Sequence, residues 1–330
     1  MKRVIFTYIG LLCLCFTNIY GQSDNSIERF ALYVASNQGG EGREQLRYAG
    51  SDAMQMANTM TEIGGVSSAN TLVLIDPDRN QIQNALETVG AAVEAAATKA
   101  KRTEFLFYYS GHSDEISLLL GDETYDYSSL KAAINLVPSD VHVVMLDSCF
   151  SGNFIRAKGG QRQLPFLFDD SSVVQGHAYL SSSSEKESSQ ESDSIQGSFF
   201  THSLISGLRG AADTSGDKKV SLNELYHYAF NDTLARTGES TIGPQHPSYN
   251  ITLVGSGDLI LTDISIAEAV LQLPSEAQGT YFIRTLNGKL VSEINKIEGT
   301  KMALALPAAE YNVTVVGATS TSQAIINLQK

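Results

Sequence analysis

The chain has little cysteine and little positive charge. Three of its 330 residues are Cys, which excludes a fold built on a dense disulfide framework. Lys and Arg number 23 against 36 Asp and Glu, giving a net charge of −13. Because phosphate and anionic lipid attract basic surfaces, this balance argues against nucleic acid and lipid surfaces as main partners. The sequence also lacks an apolar run of about 20 residues, so it predicts no membrane span.

The first 21 residues are typical of a targeting segment. Two basic residues precede an apolar stretch over 4–16. We therefore predict a signal peptide over 1–21 and an exported protein, periplasmic or secreted; the alternative is a buried first strand or helix. Cleavage would remove Cys13 and Cys15 and leave Cys149 as the one thiol, which is then either inert and buried or reactive.

Apolar, β-rich runs then alternate with helical patterns. The pattern predicts strands at 30–35, 71–75, 104–109, 141–146 and 178–182, and helices at 52–63, 80–101, 127–136, 199–208 and 222–234. Continuous apolar strands separated by helices indicate an α/β fold with a mainly parallel sheet covered on both faces. The polar stretch over 181–198 is predicted to be an exposed loop.

Two strand ends carry residues suited to catalysis. His112 follows the strand at 104–109, and Cys149 follows the strand at 141–146. Functional residues of parallel sheets lie beyond the carboxyl ends of the strands, so we expect both at one edge. A thiol attacks as thiolate and needs a nearby base, which His112 can supply. The alternative is a buried structural Cys and a hydrogen-bonded loop His.

The last part of the chain has a different sequence pattern. Short alternating segments follow residue 251, and Asn287-Gly288 between two of them is a hairpin signal. These segments predict a small β-sandwich over 263–330.

The motifs over 107–112 (FYYSGH) and 144–152 (VMLDSCFSG) resemble those of the caspase and metacaspase family of cysteine peptidases. The segment 46–53 (LRYAGSDA) is similar to the family's early helix entry, and 197–210 (GSFFTHSLISGLRG) to the small-subunit region of bacterial members. The resemblance covers about 28–260. It implies a caspase-like three-layer sandwich over 22–262 and peptide or protein substrates.

The resemblance also implies roles for individual residues. Cys149 would be the nucleophile and His112 the acid and base, with the backbone N–H groups of Ser113 and Cys149 as oxyanion donors. The acidic S1 pocket of metacaspases, which receives Arg or Lys, matches three positions here: Asp52, Ser110 and Asp147. A carboxylate two residues before the nucleophile suits a cationic side chain. The alternatives are helix capping by Asp52 and loop capping by Asp147.

Two positions depart from the family pattern. Ser113 stands where the family usually has Gly, and Phe150 where metacaspases frequently have His. Ser113 keeps a second hypothesis open, namely a catalytically inactive binding module on a caspase scaffold. Arg47 is the alternative S1 residue, for an acidic P1 side chain, although it is one position out of register with that pattern.

The chemistry needs no cofactor, but one loop matches a calcium-binding pattern. Five residues fit the oxygen-ligand spacing of an EF-hand loop: Asp213, Ser215, Asp217, Ser221 and Glu224. Lys218 occupies the sixth position, where Gly is needed for the turn. The alternative is a capping box of Ser221 and Glu224 for the next helix. Calcium as an activator or structural ion is therefore one of two interpretations.

The segment over 153–176 is predicted to be a surface loop after the nucleophile. Relatives are cut in such a place during maturation, and the implied Arg/Lys specificity makes Arg156, Lys158 and Arg162 candidates for self-cleavage. Asp169-Asp170 would be cut instead if the specificity were for Asp. An uncut loop is the other interpretation.

Overall fold

A computed structural model describes residues 27–155, 174–184, 187–255 and 257–330. The strands of these residues are β1 (Ile27–Ser36), β2 (Val66–Ile75), β3 (Arg102–Gly111), β4 (Ser117–Leu120), β5 (Glu123–Asp126), β6 (Val141–Asp147), β7 (Gln175–Ser181), β8 (Glu191–Ser192), β9 (Gly197–Ser198), β10 (Lys219–Ser221), β11 (Ser248–Val254), β12 (Ile260–Asp263), β13 (Ala269–Leu273), β14 (Gly279–Thr285), β15 (Leu290–Lys296), β16 (Met302–Leu306), β17 (Glu310–Val316) and β18 (Thr321–Asn327). The helices are α1 (Ala49–Ile63), α2 (Arg79–Ala96), α3 (Tyr127–Asn135), α4 (Gly152–Ile155), α5 (Phe199–Ser206) and α6 (Leu222–Thr237).

A six-stranded sheet in the order β11-β7-β6-β3-β1-β2 forms the centre of the larger domain. All neighbours pair in parallel except β11, which runs antiparallel to β7 at the edge. The mainly parallel sheet predicted from the sequence is therefore confirmed. The strand β11 was missed, because its half-exposed residues lack the continuous apolar run of the central strands.

Alternate residues of β3 enter two different cores, as the two-residue period of a strand requires. Phe105, Phe107 and Tyr109 pack on the face covered by α2 and α3. Leu106 and Tyr108 pack on the opposite face, which α1, α5 and α6 cover. The central strand is thus buried on both sides, and its position is fixed.

The C-terminal strands form antiparallel sheets with their own apolar core. β13 pairs with β16, and four further strands are ordered β15-β14-β17-β18. Ile283, Ile294 and Leu304 lie at the centre of this core. The small β-sandwich expected from the alternating segments is present.

Helix α6 connects the two cores through polar contacts. Arg236 lies 2.8 Å from Asp232 on the same helix and 2.8 Å from Glu293 of β15. The buried hydroxyl of Ser292 donates to Ser206 of α5 at 3.0 Å. The C-terminal sheets therefore pack directly on the helices that cover one face of the larger domain.

The stretch predicted as an exposed loop over 181–198 is only partly exposed. Ser182, Ser183, Gln190 and Ser198 are buried. Their polar groups form hydrogen bonds with Asp147 and Ser148 at the end of β6 and with Gly243 in the segment after α6, which offsets the cost of burial. The composition of this stretch could not reveal those partners.

Candidate active site

The strands β3 and β6 carry the predicted catalytic pair. They are adjacent and parallel, and Ser110 lies directly opposite Asp147. His112 and Cys149 each follow two residues later, so they leave equivalent points of neighbouring strands at the same edge of the sheet. The shared edge agrees with the sequence prediction, while the catalytic pairing of the two side chains stays a prediction.

The ring of His112 is held from two sides. Its Nε2 lies 2.9 Å from the carbonyl oxygen of Glu44, which can only accept, so Nε2 carries the hydrogen and Nδ1 is the basic nitrogen. Gly39 packs so closely that an added Cβ would come within 2.5 Å of the ring. Burial lowers the pKa of His112. Neither contact was predicted, although the Gly39-Gly40 pair was a signal for a close backbone approach.

The thiol of Cys149 is partly buried, and this burial raises its pKa. The backbone N–H of Ser189 and the hydroxyl of Ser188 interact with the sulfur and work in the opposite direction. The next residue, Phe150, has a φ of +54°. Such a left-handed conformation is uncommon for a bulky residue, and it turns the chain sharply after the thiol.

Ser113 contacts the nucleophile through its side chain. Its hydroxyl donates a hydrogen bond to the carbonyl oxygen of Cys149. Ser113 faces Leu118 as an isolated antiparallel bridge, flanked by the pairs His112–Leu119 and Asp114–Ser117. In that pattern the N–H of Ser113 points away from the hairpin. Within the described part of the chain it has no backbone acceptor, so the predicted oxyanion donor remains available.

The three predicted pocket residues lie together beneath this edge. Asp52, Ser110 and Asp147 are all buried. The Asp147 carboxylate accepts hydrogen bonds from the hydroxyls of Ser198, of Ser189 at 2.5 Å and of Thr201 at 2.6 Å. The buried Asp147 carboxylate is therefore held by three hydroxyl donors.

Asp52 accepts the backbone N–H of Ser198 at 3.0 Å. Burial and the nearby charge of Asp147 raise the pKa of Asp52 well above its usual range, while Lys289 has a smaller opposing influence. Among the described residues, no basic side chain forms an ion pair with Asp52 or Asp147. Asp52 and Asp147 are thus two buried acidic groups that lie close enough to influence each other, and neither forms an ion pair with a described basic side chain.

The donors around Asp147 were not predicted. Ser198 and Thr201 begin α5, where the Ser198 hydroxyl also accepts the Thr201 N–H as a helix cap. The sequence signal was the Gly197-Ser198 start of a helix, which fits capping alone. Contact with Asp147, about 50 residues earlier in the chain, depends on the tertiary fold.

Arg47 lies on the surface, where it lines a cavity together with Glu44, the residue whose carbonyl oxygen contacts His112. It pairs with Asp193 at 3.1 Å, and both side chains are mostly exposed. Tyr48 donates to the same carboxylate at 2.6 Å. Arg47 is therefore paired with Asp193 at an exposed position, where an ion pair is weak.

The loop over 213–224 is held by its own hydrogen bonds. Glu224 caps α6 reciprocally with Ser221, which confirms the capping box, and it also accepts from Thr214 and Ser215. Lys218 has a φ of +67°, so it adopts the turn for which Gly was expected. No group of three or more metal-binding side chains is gathered anywhere in the described residues, and calcium stays a prediction.

Three other predictions lie outside the described residues. They are the segment over 1–21, the candidate cleavage residues Arg156, Lys158 and Arg162, and the alternative at Asp169-Asp170.

The fold and the paired strand ends define a caspase-like protein. Residues 28–255 match the sequence model of the caspase domain, peptidase family C14, and the chain belongs to this family of cysteine peptidases. The crystal structure of caspase-1 from Spodoptera frugiperda is similar, with a TM-score of 0.51 and 12% identity over 73% of this chain and 94% of that one. That likeness supports the fold alone. No curated protein matches the sequence. Of the described helices, none is long and apolar enough to cross a membrane.

Proposed function

We propose that this protein is an exported cysteine endopeptidase that cuts peptide bonds after Arg or Lys. One observation supports the proposed specificity for Arg or Lys. Asp52 and Asp147 are buried beside the edge that bears His112 and Cys149, and neither has a basic partner among the described residues. A guanidinium or ammonium group of the substrate would supply the missing positive charge.

The proposed reaction uses the groups at this edge. The proton of the Cys149 thiol passes to Nδ1 of His112 as sulfur attacks the scissile carbonyl carbon. The backbone N–H groups of Ser113 and Cys149 stabilise the oxyanion. The imidazolium then protonates the leaving amine, and the C–N bond breaks. Water, deprotonated by His112, attacks the thioester, releases the acid and restores the thiol.

The resting pair is expected to be neutral. Burial raises the pKa of Cys149 and lowers that of His112, and both shifts disfavour a thiolate–imidazolium pair. Proton transfer therefore accompanies attack, with His112 acting as general base.

Turnover of fluorogenic peptides ending in Arg, Lys or Asp tests the proposal, with Cys149→Ala as control. We expect turnover of the Arg and Lys peptides and none with the variant. Turnover of the Asp peptide alone would remove Asp147 from the pocket and favour Arg47.

An inactive binding module is the second candidate. The observation in its favour is that two consecutive residues, Ser188 and Ser189, already form hydrogen bonds with the thiol of Cys149. Ser189 also donates to Asp147, so both groups have partners within the protein. A thiol-reactive peptidyl-Arg probe distinguishes the two. Covalent labelling of Cys149 supports the peptidase, and a folded protein that stays unlabelled supports the module.

Self-cleavage belongs to the same proposal. Incubation of the wild type should give two fragments, with a new terminus after Arg156, Lys158 or Arg162, while Cys149→Ala stays intact. Sequencing of the new terminus identifies the residue. Fragments that also form in Cys149→Ala would point to another protease.

Export and calcium binding are separate proposals. Export predicts a mature protein beginning near Gln22 in the periplasmic or secreted fraction. Calcium binding predicts heat on titration of the wild type with calcium in a calorimeter, and its loss in Glu224→Gln. No heat from the wild type would leave Glu224 with its capping role alone.

A further inference from the structure

Three hydroxyl groups converge on the backbone directly before the nucleophile. The carbonyl oxygen of Ser148 accepts from Ser151 at 2.7 Å, Ser183 at 3.0 Å and Ser182 at 3.1 Å. All four residues are at most 1% exposed. A carbonyl oxygen has two lone pairs, so three donors exceed what is needed to satisfy its burial.

Ser182 contacts this residue twice. Its hydroxyl also accepts the backbone N–H of Ser148 at 3.0 Å. The backbone N–H of Ser182 donates to Leu146 at 2.8 Å, which continues the pairing of β7 with β6. The hydroxyl of Ser182 therefore lies directly after β7 and forms hydrogen bonds with both the backbone N–H and the carbonyl oxygen of Ser148.

This anchoring determines the direction of the next N–H. The described peptide bonds are all trans, so the carbonyl of Ser148 and the N–H of Cys149 point in opposite directions. With the carbonyl directed into the buried serines, the N–H of Cys149 is directed away from them. The N–H of Cys149 also acts to lower the pKa of its own thiol, which places this N–H near the sulfur.

The next peptide group, between Cys149 and Phe150, already has hydrogen-bond partners at both of its polar groups. Its carbonyl, that of Cys149, accepts from Ser113, and its N–H, that of Phe150, donates to Glu187 at 3.0 Å. The N–H of Cys149, by contrast, donates to no backbone acceptor among the described residues.

We propose that Ser151, Ser182 and Ser183 are positioning residues that direct the Cys149 N–H toward the oxyanion of the tetrahedral intermediate. The inference rests on the proposed peptidase activity. It assigns these serines no contact with substrate; they act through the Ser148–Cys149 peptide.

The test separates oxyanion stabilisation from thiol reactivity. Ser182→Ala and Ser183→Ala are compared with Ser182→Thr, which keeps the hydroxyl. The matched control is Ser292→Ala, another buried serine, which lies on β15 and bonds Ser206. Each variant is assayed for kcat and KM on an Arg peptide, for inhibition by an Arg-ended peptide aldehyde, and for alkylation by iodoacetamide. The aldehyde forms a tetrahedral adduct with an oxyanion, whereas alkylation forms none.

Loss of a direct oxyanion donor costs about 10²- to 10³-fold in kcat, so loss of its orientation should cost about tenfold. We expect Ser182→Ala to lower kcat and aldehyde affinity by about that factor, with KM and the alkylation rate within about twofold. Ser183→Ala, which removes one of three donors, should show a smaller loss with the same pattern. Ser182→Thr should recover activity, and Ser292→Ala should behave as wild type.

Equal slowing of alkylation and of aldehyde binding would overturn the inference, as would unchanged kcat in both alanine variants. If Ser182→Ala does not fold, Ser183→Ala decides. A wild type that neither cuts Arg peptides nor labels at Cys149 would refute the proposed function itself, and the inference with it. An active wild type with normal alanine variants would refute the inference alone.

Discussion

The hydroxyl of Ser113 donates a hydrogen bond to the carbonyl oxygen of Cys149. A Gly at position 113 would leave the backbone donor in place but remove this link. The departure from the family's usual Gly therefore adds a contact between the segments that follow β3 and β6, and the N–H of Ser113 has no backbone acceptor among the described residues. Ser113, on which the hypothesis of an inactive module rested, is thus compatible with catalysis.

The first prediction concerns this contact. A net hydrogen bond contributes about 1 kcal/mol, which corresponds to about a fivefold change in rate when it is felt in the transition state. We expect Ser113→Ala and Ser113→Gly to lower kcat by about that factor. Ser113→Thr, which keeps the hydroxyl, should lose less. Steady-state kinetics on an Arg peptide measure this, and equal kcat values in all four proteins would show that the contact has no catalytic role.

The second prediction concerns Asp52. Its raised pKa means that ionisation is unfavourable in the folded protein, so its carboxylate costs stability at pH values above the pKa of the unfolded chain, about 3.9. That cost grows as pH rises from there through the folded-state pKa. Asp52→Asn should accordingly raise the thermal midpoint at neutral pH. It should also raise KM for Arg peptides, because one pocket charge is lost.

The control for this prediction is Asp122→Asn, which neutralises an exposed acid. It should leave both the thermal midpoint and KM unchanged. In the wild type, KM for Arg peptides should rise as the pH is lowered through the raised pKa of Asp52, and Asp52→Asn should lose that dependence. A lower thermal midpoint for Asp52→Asn would instead assign the carboxylate a structural role, such as holding the Ser198 N–H.

The third prediction concerns the ionisation of the catalytic pair. Since burial raises the pKa of Cys149, alkylation by iodoacetamide should accelerate with a midpoint above about 8.5, the ordinary value for a thiol. Since burial lowers the pKa of His112, the acid limb of kcat/KM should lie below about 6.5. Fast alkylation that persists to pH 5 would reveal a thiolate–imidazolium pair and contradict the neutral one.

The sequence predicted features whose causes are local. The central strands were recognisable because residues buried on both faces must be continuously apolar, and Ser221 with Glu224 predicted its capping box across three positions. His112 and Cys149 were predicted at one edge because parallel strands end together. What could not be predicted are contacts between distant segments. The serines that surround Asp147 and Ser148 are polar residues in a polar stretch, and only the fold shows that they are buried.

The last prediction concerns the contact between the two domains. Arg236 is largely buried between Asp232 and Glu293, and these two carboxylates raise its pKa above the ordinary value. Glu293→Gln removes one charge, but Arg236 keeps Asp232 and the carbonyl oxygen of Glu293 at 3.0 Å. The free energy of unfolding should therefore fall by about 1 kcal/mol, which corresponds to a fall of about 2–4 °C in the thermal midpoint. Glu298→Gln, in an exposed turn of the same domain, is the control and should change nothing. An unchanged thermal midpoint would show that Glu293 does not stabilise the domain contact.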